Sequence, residues 1–167
     1  LREISITEFS PLVEKGMHTD GLRPSVYDLL LHRALGYFQN HEAFVGEPGG
    51  EPALDKIVYL QPAETFVKLE LPTPIQITSH QRLLQILQEA LRWSIATRPQ
   101  SEAHLDLDLI RLNLVYNQLT TKDKHIAYLT ALRNLREEHQ GTPREVMVLK
   151  YLMDYYEQRG NAYQPNE

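Results

Sequence analysis

The chain contains no cysteine, which removes disulfides, thiolate metal sites and cysteine nucleophiles together. Long hydrophobic runs are missing as well: a cluster such as Leu29-Leu30-Leu31 is far too short for a membrane-spanning helix. There is no excess of basic charge. With 17 Lys and Arg against 22 Asp and Glu, the formal charge is -5, so the chain has no footprint for phosphate neutralisation and nucleic acid is not an expected partner. Catalytic signatures are absent too: there is no Gly-x-Ser-x-Gly elbow, no His-Glu-x-x-His, no Walker loop and no Gly-x-Gly-x-x-Gly between strand and helix. No signal peptide is recognisable, and the first residue is Leu1 rather than methionine. The sequence therefore reads as a segment trimmed from a longer chain.

What is present suits one folded domain. The 167 residues are 42% hydrophobic and 23% charged, near the globular average and far from the composition of disordered chains. Residues 1–21 read as a short helix or lead-in arm, with a weak run of Ile6, Phe9, Leu12 and Val13 broken by Pro11 and closed by Gly16. Residues 22–167 read as a single helical domain with a flexible loop near 46–52, where glycine and proline crowd together.

Helix signals follow in order. Ser25 is the expected N-cap, with Asp28 three positions on, ahead of Val26, Leu29, Leu30, Ala34, Leu35 and Phe38 at helical spacing. Residues 55–71 carry a mixed signal: Ile57, Val58 and Tyr59 suit a strand or a helix, and Pro62 suits the first turn of a short helix. Beyond Pro72 and Pro74, Ser79 is the expected cap of a helix with Leu83, Ile86, Leu87, Ala90, Leu91 and Ser94 on one face. The helix expected over 102–117 is two-sided. Leu105, Leu109, Leu112 and Tyr116 fall on one side and Leu107, Ile110 and Leu114 on the other, so it should lie between two neighbours. A strand reading of the alternation from Leu105 to Leu109 competes with the helix, although the continuation Ile110-Arg111-Leu112 breaks period two.

A helix over 121–139 should bury Tyr128, Ala131, Leu132 and Leu135 and end at Gly141 in the left-handed conformation. Thr142-Pro143-Arg144-Glu145 reads as a capping box for a last helix over 143–159, stopped by Gly160. That helix has Val146, Leu149, Met153 and Tyr156 on one side and Val148, Leu152 and Tyr155 on another. Two-sided helices joined by tight turns predict an all-α fold: antiparallel helical hairpins stacked in a tetratricopeptide-like, right-handed superhelical array of about five to seven helices. An array interrupted at this point would expose an unfinished face.

Candidate chemistry is sparse. Seven histidines, His18, His32, His41, His80, His104, His125 and His139, show no metal-ligand spacing. His32, beside Arg33, is the one candidate for acid–base work, with a structural hydrogen bond as the plainer role. Asp106 and Asp108 point about 200° apart on a helix, so they do not share a metal, and one of them should bond Arg111 or a neighbouring backbone group. Tyr151, Tyr155, Tyr156 and Tyr163 suit packing between hairpins better than a carbohydrate or peptide platform. The expectation is therefore no catalytic, cofactor-binding or metal-binding residue and no enzymatic activity.

Three segments carry a resemblance. Arg23-Pro24-Ser25-Val26-Tyr27-Asp28-Leu29-Leu30-Leu31-His32-Arg33-Ala34-Leu35 resembles a Pro-Thr-Leu-Tyr-Asp-Phe-Leu-Ala-His-Arg-Ala-Leu segment of large bacterial alpha-2-macroglobulin family proteins, in their N-terminal, pre-macroglobulin helical region. Leu105-Asp106-Leu107-Asp108-Leu109-Ile110-Arg111-Leu112-Asn113-Leu114-Val115 is similar to that region's Asp-Leu-Asp-x-x-Arg-Leu-x-Phe-Val, and Tyr155-Tyr156-Glu157-Gln158-Arg159-Gly160-Asn161 to its Tyr-Tyr-x-Gln-Arg-Gly-Asn. The resemblance implies a non-catalytic structural and interaction module of a periplasmic or cell-surface protein that traps or inhibits endopeptidases. Its partners would be other domains of the same parent chain, or another envelope protein. The family's thioester needs a cysteine followed by Glu and Gln, so no functional residue carries over to this chain. Two other readings compete: a free-standing tetratricopeptide-like adaptor gripping a peptide in its groove, and a small enzyme built on His32 with a nearby acid.

Overall fold

The computed structural model describes residues 1–12, 16, 21–39, 54–71 and 78–161. Among these, six α-helices occur: α1 Val26–Gln39, α2 Ala63–Phe66, α3 Ser79–Thr97, α4 Glu102–Gln118, α5 Lys124–Glu138 and α6 Glu145–Asn161. Two 3-10 turns, Ile6–Phe9 and Ile57–Leu60, and two isolated bridges are added to them, with no strand among the described residues. The all-α expectation holds, and the helix count falls inside the expected range. The expected loop at 46–52 lies outside the described residues, as do His18, His41 and Tyr163.

Local chemistry sets the helix starts. At α1 the bond is reciprocal: Asp28 Oδ2 accepts from the Ser25 backbone N–H at 3.1 Å, and Ser25 Oγ accepts from the Asp28 N–H at 3.2 Å. For α3 the cap is Thr78, one residue before the expected Ser79. Its hydroxyl accepts from the Gln81 N–H at 3.3 Å while Gln81 Oε1 accepts from the Thr78 N–H at 3.1 Å, a capping box that Ser79, already helical, does not make. Ser101 caps α4 by accepting from the His104 N–H at 3.1 Å.

The expected capping box at Thr142 does not form. Gly141, at φ 73°, turns the chain so that its own N–H donates to Glu145 Oε2 at 2.8 Å, while the Thr142 hydroxyl donates back to the His139 carbonyl at 2.7 Å. Both side chains are thereby committed to the turn, and α6 begins at Glu145 rather than at Pro143. Nor does Gly160 stop it, since α6 runs on to Asn161.

Burial makes α4 the spine. Its neighbours are α3, α5, α6 and the Ile57–Leu60 turn, and both of its apolar sides are covered, from Leu105, Leu109 and Leu112 to Leu107, Ile110 and Leu114. The connections on either side of it are short, which sets α3, α4 and α5 alternately up and down. In α1 the buried apolar positions are Leu31, Leu35 and Phe38, whereas Leu30, expected inside, is half exposed. In α3 the buried arc is wider than expected and takes in Leu84 and Gln88. The arm is tied to the start of α1, with the Ile6 N–H donating to the Pro24 carbonyl and the Val26 N–H to the Ile4 carbonyl, both at 3.0 Å.

The two apolar sides of α6 have different surroundings. In α6, Val148, Leu152 and Tyr155 are buried, but the second apolar side is open: Val146 is 67% exposed, Leu149 40%, Met153 61% and Tyr156 51%.

Candidate functional site

The segment after residue 53 explains how the groove beside α4 is filled. Leu54 pairs with Leu119 in a parallel bridge, and the Thr120 N–H donates to the Leu54 carbonyl at 3.1 Å. The 3-10 turn Ile57–Leu60 then packs on α4 and α5, and α2 packs on α3. Side chains from the long helices hold this segment by its backbone. Arg111 Nη1 donates to the Tyr59 carbonyl at 2.6 Å, Gln88 Nε2 to the carbonyls of Phe66 and Leu69 at 2.8 and 2.9 Å, and Arg92 Nη2 to that of Val67 at 2.9 Å. Carbonyls in irregular segments need such donors when they are buried.

Arg111 is the centre of the arrangement. It is fully buried; its Nε donates to Asp108 Oδ1 at 2.7 Å, and its guanidinium lies 4.8 Å from the centroid of the Phe66 ring. The expected Asp–Arg111 bond is therefore made, by Asp108 and not by Asp106. A buried pair of this kind is tolerable because carboxylate and backbone carbonyl both meet a donor. The bond to Tyr59 was not foreseen, although one signal was available: an arginine and an aspartate three residues apart in a helix with apolar residues on both sides.

Between the 57–64 segment and helices α4 and α5 remains a cavity of about 250 Å³, with Glu64, His104, Asp108, Arg111, Glu138 and His139 among its walls. Burial lowers the pKa of His104, opposed in part by Asp108, Glu64 and Glu138. His104 Nδ1 lies 3.1 Å from Ser94 Oγ, which looks like the beginning of a nucleophilic pair. Ser94 is fully buried and does not line the cavity, so the contact ties α3 to α4 and offers no attacking oxygen.

His32 does meet an acid. Its Nε2 lies 3.6 Å from Asp106 Oδ2, joining the first resemblance segment to the second across α1 and α4. Burial, followed by the charge of Arg23, holds the His32 pKa down at about 4, and burial raises that of Asp106. At neutral pH the contact is between a neutral imidazole and a carboxylate. Neither residue lines the cavity just described. Asp28 completes the same seam by accepting from Arg98 Nη1 at 3.0 Å, with its pKa held low by Arg98 and Ser25 against the opposing effect of burial.

A second cavity, of about 190 Å³, opens between α4 and the end of α6 and is lined by Tyr116, Tyr128, Tyr151 and Tyr155 with Asn113, Asp154, Glu157 and Gln158. Tyr116 and Tyr128 stack at 4.3 Å with an interplanar angle of 13°, and Tyr155 tilts against both. Of the tyrosines expected to pack between hairpins, Tyr155 does so against Tyr116 and Tyr128, whereas Tyr156 is half exposed. Burial pushes the Tyr151 hydroxyl up to about 12 and raises that of Tyr128, so both stay protonated. Among the described residues no His, Asp and Glu cluster is arranged to hold a metal ion, and no helix is long and apolar enough to cross a membrane. No family model, curated protein or solved structure matches this chain.

Proposed function

We propose that this chain is a non-catalytic helical stacking module, and that its work is to hold other helices of one large polypeptide. The observation that carries the reading is the open side of α6. Val146, Leu149, Met153 and Tyr156 follow one another at intervals of three, four and three residues, the spacing of a seam between two helices. The occupant is a further helical hairpin of the same parent chain. Continuity argues for it: α4, with the same two-sided pattern, receives helices on both sides, and a hairpin on α6 repeats that contact.

The reading also draws on the resemblance to the pre-macroglobulin helical region of alpha-2-macroglobulin family proteins, under which the parent would be a periplasmic or cell-surface protein that traps or inhibits endopeptidases. Residues of the similar segments support the structural role, since Asp28, His32, Asp106 and Arg111 each join one helix or segment to another, and Asp108 holds Arg111 from within α4. The adaptor reading is less well supported because residues 54–71 of the chain itself lie where an adaptor's peptide would lie. The enzyme reading is less well supported because His32 lines neither of the two cavities described above.

Glutamates at Leu149 and Met153 test the proposal. The double variant L149E/M153E should leave the denaturant midpoint of the 167-residue chain within the range of ordinary surface changes, about 0.5 kcal/mol each. In the parent polypeptide it should detach the following helices, read as new protease-sensitive sites just beyond this region. An unchanged digestion pattern in the parent would overturn the reading.

A further inference from the structure

We infer that the slot between the 57–64 segment and helices α4 and α5 binds a primary ammonium group on a short hydrocarbon stem. Unlike the tyrosine cavity, whose rings close on one another, this space is open along two lips. Ile57, Pro62 and Glu64 are exposed on one lip and Thr130, Asn134 and Glu138 on the other, and all six line the slot. Between the lips, Leu105 and Leu112 of α4 and Ala131 and Leu135 of α5 supply apolar walls. A volume of about 250 Å³ is just under the roughly 300–1,000 Å³ of sites for drug-sized molecules, so it suits a short stem with one polar head.

The polar atoms select the head. Three carboxylates, Asp108, Glu64 and Glu138, line the slot against a single cation, Arg111, which leaves a surplus of two negative charges. Arg111 is already engaged, with Nε on Asp108 and Nη1 on the Tyr59 carbonyl. Asp108 is only half engaged: it is 4% exposed, its Oδ1 accepts from Arg111, and its Oδ2 accepts no hydrogen bond among the described residues. His139, 8% exposed, bonds through its backbone, and its ring has no hydrogen-bond partner among the described residues. Glu64 and Glu138 enter no ion pair among them either. Buried polar groups of this kind call for a partner. The same three carboxylates reach His104, where burial lowers the pKa and their charges oppose it, while the one cation acting with burial, Arg98, is tied to Asp28. An ammonium brings three N–H donors and a positive charge to carboxylate oxygens and imidazole nitrogens, whereas an anion would meet glutamates at both lips.

Two sources present this group: a free alkylamine and a lysine side chain. Titrating the 167-residue chain with butylamine hydrochloride at neutral pH, where a primary amine is charged, should give saturable shifts of the His104 and His139 ring resonances. The neutral analogue 1-butanol should bind at least about tenfold more weakly, because it offers the same stem without the charge. N-Acetyl-lysine amide provides the second arm: tighter binding than butylamine assigns the slot to a protein side chain, and weaker binding assigns it to a free amine. The double variant E64Q/E138Q, at two exposed positions, should weaken butylamine by up to about tenfold. E157Q, on the wall of the other cavity, should leave butylamine binding unchanged. Equal binding of butylamine and 1-butanol, no shift of either ring, or a loss in E157Q as large as that in E64Q/E138Q overturns the inference.

Discussion

Helices α4 and α6 have nearly the same design and opposite surroundings. Each is 17 residues long with apolar side chains on two sides. In α4 both sides are closed, and even Asp108 and Arg111 are buried; in α6 the Val148, Leu152 and Tyr155 side is closed while the Val146, Leu149, Met153 and Tyr156 side faces solvent. A two-sided pattern states what a helix is able to bury. Its neighbours decide what it does bury.

The contrast is sharpest at Arg111. Replacing it with methionine leaves the buried Asp108 carboxylate and the Tyr59 carbonyl without their donor, and R111M should lose about 3–5 kcal/mol in equilibrium urea unfolding. Adding D108L should restore much of that loss; if the double variant is as unstable as the single one, the pair is not the source. Next in size is a matched truncation. L112A in α4 should cost about 2–5 kcal/mol, against no more than about 0.5 kcal/mol for M153A in α6. Similar losses in the two would erase the distinction between the helices.

A pH titration probes the seam that anchors α1 to α4. The folded His32 pKa of about 4 is below its ordinary 6.5, so the unfolded chain takes up a proton that the folded chain refuses. The stabilisation from neutral His32 is therefore present above pH 6.5 and is lost as pH falls toward 4, by up to roughly 3 kcal/mol. Asp106 works in the opposite sense, because its raised folded pKa lets it accept a proton before the unfolded chain does and so returns stability on acidification. Urea midpoints should fall less steeply in H32Q than in the parent sequence, and more steeply in D106N. Identical slopes in all three would remove His32 from the account. The smallest expected effect concerns the hairpin that presents α6: G141A, at φ 73° but with open space around a new Cβ, should cost about 1 kcal/mol through backbone strain alone.

Most of the long helices were legible in the sequence because their periodicity is local information. The two sides of α4, the left-handed Gly141 and the Ser25–Asp28 start all follow from residues a few positions apart. What was not legible depends on distant partners. Arg111 reaching Tyr59, Gln88 reaching Phe66 and Asp28 reaching Arg98 join residues 52, 22 and 70 positions apart. The Thr142 box failed for a related reason: Glu145 had a second partner in Arg136 on the preceding helix, at 3.1 Å. For the candidate sites, the tyrosines were visible as a cluster in α6, but Tyr116 and Tyr128 join them only once three helices are packed.

The open side of α6 is tested most directly by a single thiol, since the chain has no cysteine of its own. M153C should react with a maleimide rapidly in the 167-residue chain, and at least about tenfold more slowly once the parent's following helices are present. Equal rates in the two polypeptides would contradict the stacking account, and protection that grows with concentration of the short chain alone would give the face to a second copy instead.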